Sequence, residues 1–364
     1  MPNNVICFSA DHEKVATKFK DYMNHYLAVN QHREGYIYDN TISFAEKDAK
    51  INEIMLSEVS KLSNVEIASN DAISTEMWAQ HPLIKWAAFA VVNSMIDMVV
   101  PEVLDRTVGL YTEQYFVNAG DSKSFEIEPN QLFVVSKAGR DQRTVEFQKQ
   151  FNGMVTIVPE NREITVAANL YKVLAGKESL ARFAMKAILS LESQISREVY
   201  TAMDEAMNAL PTADPKLKLT GFDKEDAIEL AQVVSAVNNG AEAVFMGTKL
   251  ALHQILPDTT IFRTLESSDY VRIGYMREFA GFNTMLLPQV VRADKAFTLA
   301  LKDNMIYVIS PSSEKLVKLV YEGGSWTNNT NAFASANLTE TTTITKSYGI
   351  GVATNATAGC IVLA

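Results

Sequence analysis

One stretch of the chain repeats apolar residues at α-helical spacing over many turns. Between Lys177 and Ala209 these residues fall on a single face. They are Leu180, Phe183, Ala184, Ala187, Leu191, Ile195, Val199, Met203 and Ala206. Pro211 ends the pattern, and at the α-helical rise the segment would span roughly 50 Å. Because strong β patterns lie just before it and near the C-terminal end, we predict one long helix with sheet packed along it.

The first 110 residues carry mainly helical patterns. Helices are predicted over His12–Val29, Ser43–Leu62 and His81–Val100. Ser43, with Glu46 three residues later, forms a capping box at the start of the second helix. Pro101 is expected to break the third helix, because proline lacks a backbone donor.

The most apolar run of the chain, Trp86–Val100, contains Asn93, Ser94 and Asp97. It is too short to span a bilayer. We therefore predict a buried amphipathic helix and no membrane partner.

From Val108 to Ala175 the apolar period changes to two, which is typical of strands. Ser124–Glu128 and Met154–Val158 alternate and flank a charged segment. That segment carries Lys137, Arg140, Arg143 and Lys149 against Asp141 and Glu146, so its charge is 4 - 2 = +2. The pattern predicts a long hairpin with a basic tip. Because an isolated hairpin is marginal in water, this one implies either a partner surface or a solvated loop.

Past the long helix, strand and helix patterns alternate over 222–296, which we predict to be a separate inserted domain. Asp223 is expected to cap a helix that ends at Gly240. The remainder, 297–364, is β-rich. Its predicted strands are Asn304–Ile309, Leu316–Tyr321, Glu340–Ala353 and Gly359–Leu363, with a loop over Gly323–Asn331.

Composition narrows the possible partners. The formal net charge is -10, which gives no electrostatic attraction to nucleic acid or to anionic membrane. The chain opens without a secretory signal pattern, so Cys7 and Cys360 are expected to be free thiols rather than a disulfide.

A search for reactive constellations predicts no catalytic, cofactor-binding or metal site. None of the five histidines has metal-ligand spacing. Gly349-Ile350-Gly351 lies in a β context with no helix after it, so it is not a dinucleotide fingerprint. If the chain were instead a cytoplasmic enzyme with a dispersed site in 222–296, Asp223, Asp226 and His253 would be the only candidates.

The order of these parts resembles the major capsid protein of tailed bacteriophages, the Hong Kong 97-type capsid fold. The resemblance implies an α+β architecture with five regions. They are a helical N-terminal arm (1–110), an extended hairpin loop with flanking strands (111–175), the spine helix (176–221), an axial domain (222–296) and peripheral-domain strands (297–364).

The resemblance also implies a function. Capsid proteins of this family form pentamers and hexamers through the axial domain, and the extended loop lies over a neighbouring copy. Lys137, Arg140 and Arg143 at the loop tip would then contact that copy. The shell would enclose double-stranded DNA without sequence-specific binding, assemble in the host cytoplasm, and act with portal, scaffolding or decoration proteins of the virion. An encapsulin-type nanocompartment shell is the alternative within the fold, and it would need a cargo pocket near the N-terminal helices.

Overall fold

The structure is a computed structural model that describes residues 10–31, 33, 35–66, 81–127, 153–166, 179–212, 216–255, 273–287, 289, 298–299, 301–311, 314–330, 341–353 and 355–363. Its helices are α1 (Ala10–His25), α2 (Phe44–Ser63), α3 (Pro82–Thr107), α4 (Leu180–Asn208), α5 (Lys224–Val237) and α6 (Lys249–His253), with a π-helical turn at Tyr26–Asn30. Its strands are β1 (Thr112–Val117), β2 (Lys123–Ile127), β3 (Gly153–Ile157), β4 (Glu160–Val166), β5 (Lys218–Thr220), β6 (Val244–Gly247), β7 (Glu278–Phe279), β8 (Phe282–Leu286), β9 (Met305–Ile309), β10 (Val317–Thr330), β11 (Thr341–Val352) and β12 (Gly359–Val362). The expected α+β class is confirmed.

The predicted long helix is a single unbroken element, α4, of 29 residues. Ser179 caps its first turn by accepting a hydrogen bond from the backbone of Arg182 at 3.3 Å. One face is buried along the whole length, from Leu180 to Met207. The face packs against α2 and α3 at one end, and further along against β10, β11 and β12. The expectation of a helix with sheet packed along it is therefore confirmed.

The four-stranded sheet has the order β1-β10-β11-β4, in which only the β1–β10 pair is parallel. Helices α3 and α4 lie side by side on one face of this sheet. Residues that face the helices include Leu319, Tyr321 and Tyr348, all fully buried. Within the described residues, two helices therefore cover this face of the sheet.

The prediction that Pro101 breaks the third helix was wrong, because α3 continues through Pro101 to Thr107. Val103 and Leu104, which follow the proline, are buried in the core and hold the last turns in place. The side chain of Gln114 also donates a hydrogen bond to the Pro101 carbonyl at 2.9 Å. Core burial thus outweighs the helix bond that proline removes.

Helix α3 is long and apolar enough to cross a membrane by composition alone, but most of its apolar stretch is buried inside the protein. Its polar residues contact the sheet. Asn93 accepts a hydrogen bond from the Thr327 hydroxyl at 2.7 Å, and Asp97 accepts several from the sheet. The prediction of a buried helix is confirmed, but the apolar residues are not confined to one face, since Leu83 and Trp86 are exposed.

The Asp97 carboxylate is the main polar link between α3 and the sheet. It accepts hydrogen bonds from the Ser325 backbone N–H at 2.8 Å and from the Ser325 hydroxyl at 2.6 Å. Lys346, whose side chain is 2% exposed, donates to the same carboxylate at 2.6 Å. A buried charge is tolerated only when paired and hydrogen-bonded, and here both members of the pair are satisfied.

The same carboxylate explains why the predicted loop at Gly323–Asn331 was wrong. Residues 323–330 belong to β10, which runs to Thr330 with a register shift between Glu322 and Trp326, and Asn331 lies outside the described residues. Gly323 has φ +52° within this bulge, where glycine is readily accommodated. Because α3 supplies acceptors for the polar residues after the bulge, the strand resumes and continues.

The six-stranded sheet has the order β5-β12-β9-β6-β8-β7. One face, which includes Met246, Tyr307 and Cys360, belongs to the same core as α4. The other face, which includes Phe245 and Val308, packs with α5 and α6. Cys360 is a free, buried thiol whose pKa is raised to about 11 by burial, whereas Cys7 lies outside the described residues.

Strand pairing does not by itself divide the chain into domains, so the boundaries 222–296 and 297–364 stay a prediction. The pairing nevertheless differs from what those boundaries assume. Strands β5, β9 and β12 lie outside 222–296 and belong to the six-stranded sheet. The reason is that β9 is completely buried between β12 and β6. Strands β6, β7 and β8 of the predicted inserted domain therefore form one sheet with β5, β9 and β12, which lie outside it.

We predict that Asp97→Asn destabilises the chain by about 3 kcal/mol, because it leaves the buried Lys346 ammonium without its counter-charge. Urea unfolding would measure the loss. Asp121→Asn is the matched control, since Asp121 is exposed in the turn before β2 and should cost under about 0.5 kcal/mol. Equal unfolding midpoints for the two variants would contradict the assigned role of Asp97.

We also predict that His25 makes stability depend on pH. Its ring is buried, stacks on Tyr38 at 4.5 Å between centroids, and has no hydrogen-bond partner for Nδ1 within the described part of the chain. Burial first, and the neighbouring Lys47 second, lower its pKa below 6.5, although Asp21 and Asp39 oppose the shift. The unfolded chain therefore binds the proton more tightly, and stability is lost as the pH falls below about 6.5.

The measurement is the difference in unfolding free energy between pH 7.5 and pH 5, compared with that of His25→Phe. The variant should lose less stability over this range, because phenylalanine keeps the stacking and cannot take up a proton. Equal losses in the two proteins would rule out His25 as the source.

Candidate assembly interface

The predicted hairpin is present as the antiparallel pair β2–β3. Its last described pair is Ile127 with Gly153, and Lys123 pairs with Ile157 at the end nearest the body of the protein. The three residues predicted for its tip, Lys137, Arg140 and Arg143, lie outside the described residues. The structure therefore describes the root of the hairpin, from the Lys123–Ile157 pair to the Ile127–Gly153 pair.

The root of the hairpin is seated on two glycines of β11. Ile157, which is 5% exposed, packs over Gly349 and Gly351 on the sheet face opposite the helices. A Cβ added to Gly349 would lie 2.8 Å from Ile157 Cγ2 and 2.8 Å from the Val158 carbonyl oxygen. A Cβ added to Gly351 would lie 2.8 Å from Ile157 Cδ1. Since such contacts are too close for real atoms, we call this pair of glycines the glycine notch.

An aromatic contact and a buried cation complete the root. Phe125 of the hairpin meets Tyr115 of β1 edge to face at 5.0 Å between centroids. Beneath it lies Lys318, 1% exposed, which pairs with Glu113 at 2.8 Å and with Glu314 at 2.8 Å. Burial alone would raise the pKa of Glu113, but hydrogen bonds from Lys318 and Tyr115 outweigh it and lower the pKa. The cation is therefore neutralised on both sides under the hairpin.

Away from the root, the hairpin becomes more exposed. The face that meets the sheet carries Phe125, Ile127 and Val155, and all three are only partly buried. The opposite face carries Met154, which is 70% exposed. The hairpin therefore offers an apolar stripe that its own subunit covers incompletely.

A charged cleft of about 360 Å³ lies beside the root, between edge strand β4 and helix α4. Arg162 of β4 bridges Glu160 at 2.9 Å and Glu198 of α4 at 3.2 Å. Hydrogen bonds to Glu160 and then to Glu198 raise the pKa of Arg162, so it stays charged. These pairs hold the edge strand to the helix at the base of the hairpin.

The residues considered for an enzyme each have a separate structural contact. Asp223 caps α5 by accepting from the backbone of Glu225 at 2.9 Å, and Asp226 pairs with Lys216 at 2.6 Å. His253 contacts the Gly274 carbonyl at 3.0 Å. Within the described ranges, no group of three or more His, Cys, Asp or Glu residues could hold a metal ion. These contacts account for all three candidates without a shared site.

Sequence reasoning missed the glycine notch, although the signal was present. Gly349 and Gly351 are two residues apart in a strand, so both lie on the same face. Glycine inside a strand often marks close approach of another backbone. The sequence analysis considered these glycines as a dinucleotide motif, whereas their spacing also indicates a close contact on one face of the strand.

Comparison with known proteins gives one family. The model described as "SPbeta prophage-derived putative capsid protein YonB" matches residues 36–362. No curated protein sequence matches the chain.

Several solved structures are similar. The mature capsid of bacteriophage PhiM1 has 11% identity, covers 70% of this chain and 85% of its own, and gives a TM-score of 0.48. The capsid of a native GTA particle has 10% identity, 71% and 90% coverage, and a TM-score of 0.49. A virus-like particle from Pyrococcus furiosus has 11% identity, 75% and 97% coverage, and a TM-score of 0.41. The family of the chain is therefore assigned from the sequence match over residues 36–362 alone.

We predict that Gly351→Ala loosens the hairpin root at a cost of about 1–3 kcal/mol, as expected for overpacking. The new methyl group collides with Ile157 Cδ1, so an Ile157→Val background should absorb part of that cost. Urea unfolding of the two single variants and the double variant would measure the coupling. Gly153→Ala is the control, because its Cβ would meet Ile127 at an ordinary 3.7 Å. Additive losses from Gly351→Ala and Ile157→Val would contradict the notch.

Proposed function

The chain belongs to the YonB family of SPbeta prophage-derived capsid proteins, and from this premise we propose that it is a major capsid protein with a structural, non-enzymatic role. Copies of the chain associate with one another to form the capsid of a virion. The family membership confirms the resemblance to phage capsid proteins. The finer features proposed below concern how the copies meet and what they enclose.

The observation that carries the proposal is the incompletely covered hairpin. Its root is fixed by Ile157 in the glycine notch and by the contact between Phe125 and Tyr115. Its apolar stripe includes Val155, which pairs with Phe125, and continues to Ile127 beyond these anchors. A rigidly held root with a partly exposed distal stripe suits a loop that lies over a neighbouring copy, because the neighbour would cover what its own subunit does not.

The parts of the Hong Kong 97-type fold fit the described elements as follows. The spine helix is α4, the peripheral domain is the four-stranded sheet with α3 and α4, and the extended loop is the hairpin of β2 and β3. The axial domain is the six-stranded sheet with α5 and α6, so it extends beyond 222–296 to include β5, β9 and β12. Pentamers and hexamers form around this domain and close an icosahedral head.

Charge supports an enclosing rather than a binding role toward DNA. The net charge of -10 disfavours tight contact with phosphates, so the shell surrounds double-stranded DNA without reading it. Assembly takes place in the host cytoplasm, and portal, scaffolding or decoration proteins complete the particle.

Negative-stain microscopy of the purified chain tests the proposal directly. Closed shells or rings of copies are the expected result, and a monodisperse monomer across a concentration series would overturn it. Nucleic acid inside native particles would separate the capsid from an encapsulin-type shell, which would instead hold protein cargo. A monomer with catalytic turnover would support the enzyme alternative.

The tip residues provide a sharper test. Replacing Lys137, Arg140 and Arg143 together with Glu should slow shell formation about tenfold at low salt, because complementary charge across an interface mainly raises the association rate. Light scattering would follow assembly, and urea unfolding would verify that each subunit is intact. A matched control replaces three exposed lysines outside the hairpin, Lys18, Lys50 and Lys186, with Glu. Equal assembly rates for the two triple variants would show that the tip residues do not contribute to the interface between copies.

A further inference from the structure

The N-terminal end of the long helix α4 is capped by residues of α2. The backbone N–H of Leu180 donates to the Asn52 side chain at 2.8 Å. The Ser179 hydroxyl donates to Asp48 at 3.1 Å, and Arg182 pairs with the same carboxylate at 2.9 Å. The first N–H groups of a helix have no partner within it, and a carboxylate is favoured at that end of the helix dipole. Helix α2 therefore adds to the cap that Ser179 provides at the start of α4.

Helix α1 is tied into the same cluster. The Tyr22 hydroxyl donates to Asp48 at 2.8 Å, and Tyr22 is fully buried. At the adjacent position of α2, Lys47 pairs with Asp21 of α1 at 2.5 Å, and the Lys47 side chain is 6% exposed. One carboxylate thus joins α1, α2 and the start of α4.

A second link lies further along α4. Glu192 is 3% exposed and accepts a hydrogen bond from Thr107 of α3 at 3.0 Å. Its charge is balanced by Arg33, which follows α1 in the chain and lies 2.5 Å away. If the N-terminal segment left, Glu192 would remain as a buried carboxylate without its cation, which is strongly unfavourable.

Apolar packing adds to both links. The buried residues of α1 and α2 belong to the same core cluster as those of α3 and α4. They include Val15, Phe19, Met23, Ile51, Met55 and Val59, each at most 5% exposed. Removing the two helices would expose the apolar surface of α3 and α4 that they cover, and an exposed apolar patch of that kind favours aggregation.

From these contacts we propose that α1 and α2 are a permanent, non-covalent brace of the long helix, which stays with the subunit in the finished shell even when the chain between α2 and α3 is cut. The family match begins at residue 36, so α1 lies outside the matched region although it shares the core of the matched part. The statement about the shell rests on the proposed function, whereas the bracing itself concerns the single subunit.

The test cuts the full chain and asks whether the pieces separate. A recognition sequence for a site-specific protease is placed within residues 67–80, the purified chain is nicked, and native mass spectrometry and gel filtration follow the fragments. The N-terminal fragment is expected to remain bound to the rest of the chain. Its release in buffer without denaturant would overturn the proposal.

A pair of variants separates capping from general packing. Asp48→Ala with Asn52→Ala should raise the dissociation constant of the fragment roughly tenfold or more, because the helix loses a charged cap and a hydrogen bond. The control is Lys50→Ala with Glu53→Ala, two exposed positions on the same helix, and it should leave the constant unchanged. Equal constants for the two double variants would show that the cap contributes nothing to the brace.

The same nicked protein is then allowed to assemble. Shells that contain both fragments are the expected result, and shells that have lost the N-terminal fragment would overturn the proposal for the finished particle. If neither the intact nor the nicked chain forms shells while the fragments stay together, the brace holds and the proposed function fails. The two claims can therefore fail independently.

Discussion

The apolar face of α4 is the constraint on which the structure depends. A helix of 29 residues is roughly 43 Å long at 1.5 Å per residue, and its buried face continues from end to end. No single neighbouring element covers that length. Helices α2 and α3 cover the first part, the four-stranded sheet the middle and the six-stranded sheet the last part. The two sheets and the N-terminal helices therefore share one core because they share one helix.

Polar groups within this core fix which neighbour lies where. Apolar surfaces alone would let α3 slide along the sheet, but the Asp97 carboxylate fits only where Ser325 and Lys346 meet it. In the same way, Glu192 fixes the segment around Arg33. On the opposite side of the sheet, the glycine notch fixes the hairpin by shape, since only a site without Cβ atoms admits Ile157 so closely. Position is thus specified by a few buried groups, and the rest of the core supplies stability.

Much of this arrangement could be predicted from the sequence, because it depends on the local spacing of apolar and capping residues. The long helix, the capping box at Ser43, the cap at Asp223 and the hairpin strands all follow from spacing and cap chemistry. The errors have a common cause, since tertiary contacts overrode local rules at Pro101 and at Gly323. The partners of Asp97 are also non-local, because Ser325 and Lys346 lie more than two hundred residues away in sequence. For the candidate interface, the sequence could predict a hairpin, but its seat on Gly349 and Gly351 required knowing which strand would lie beneath Ile157.

The order of strands in the six-stranded sheet has a consequence for synthesis. Strand β12 lies between β5 and β9, although β5 precedes it by more than a hundred residues in the chain. A nascent polypeptide that has already released β5 and β9 from the ribosome still has an open gap between them, with unpaired strand edges on both sides. Because non-local pairing of this kind is slow to form, the gap closes only after residues 359–362 emerge. Formation of the complete six-stranded sheet is thereby delayed until translation has passed β12.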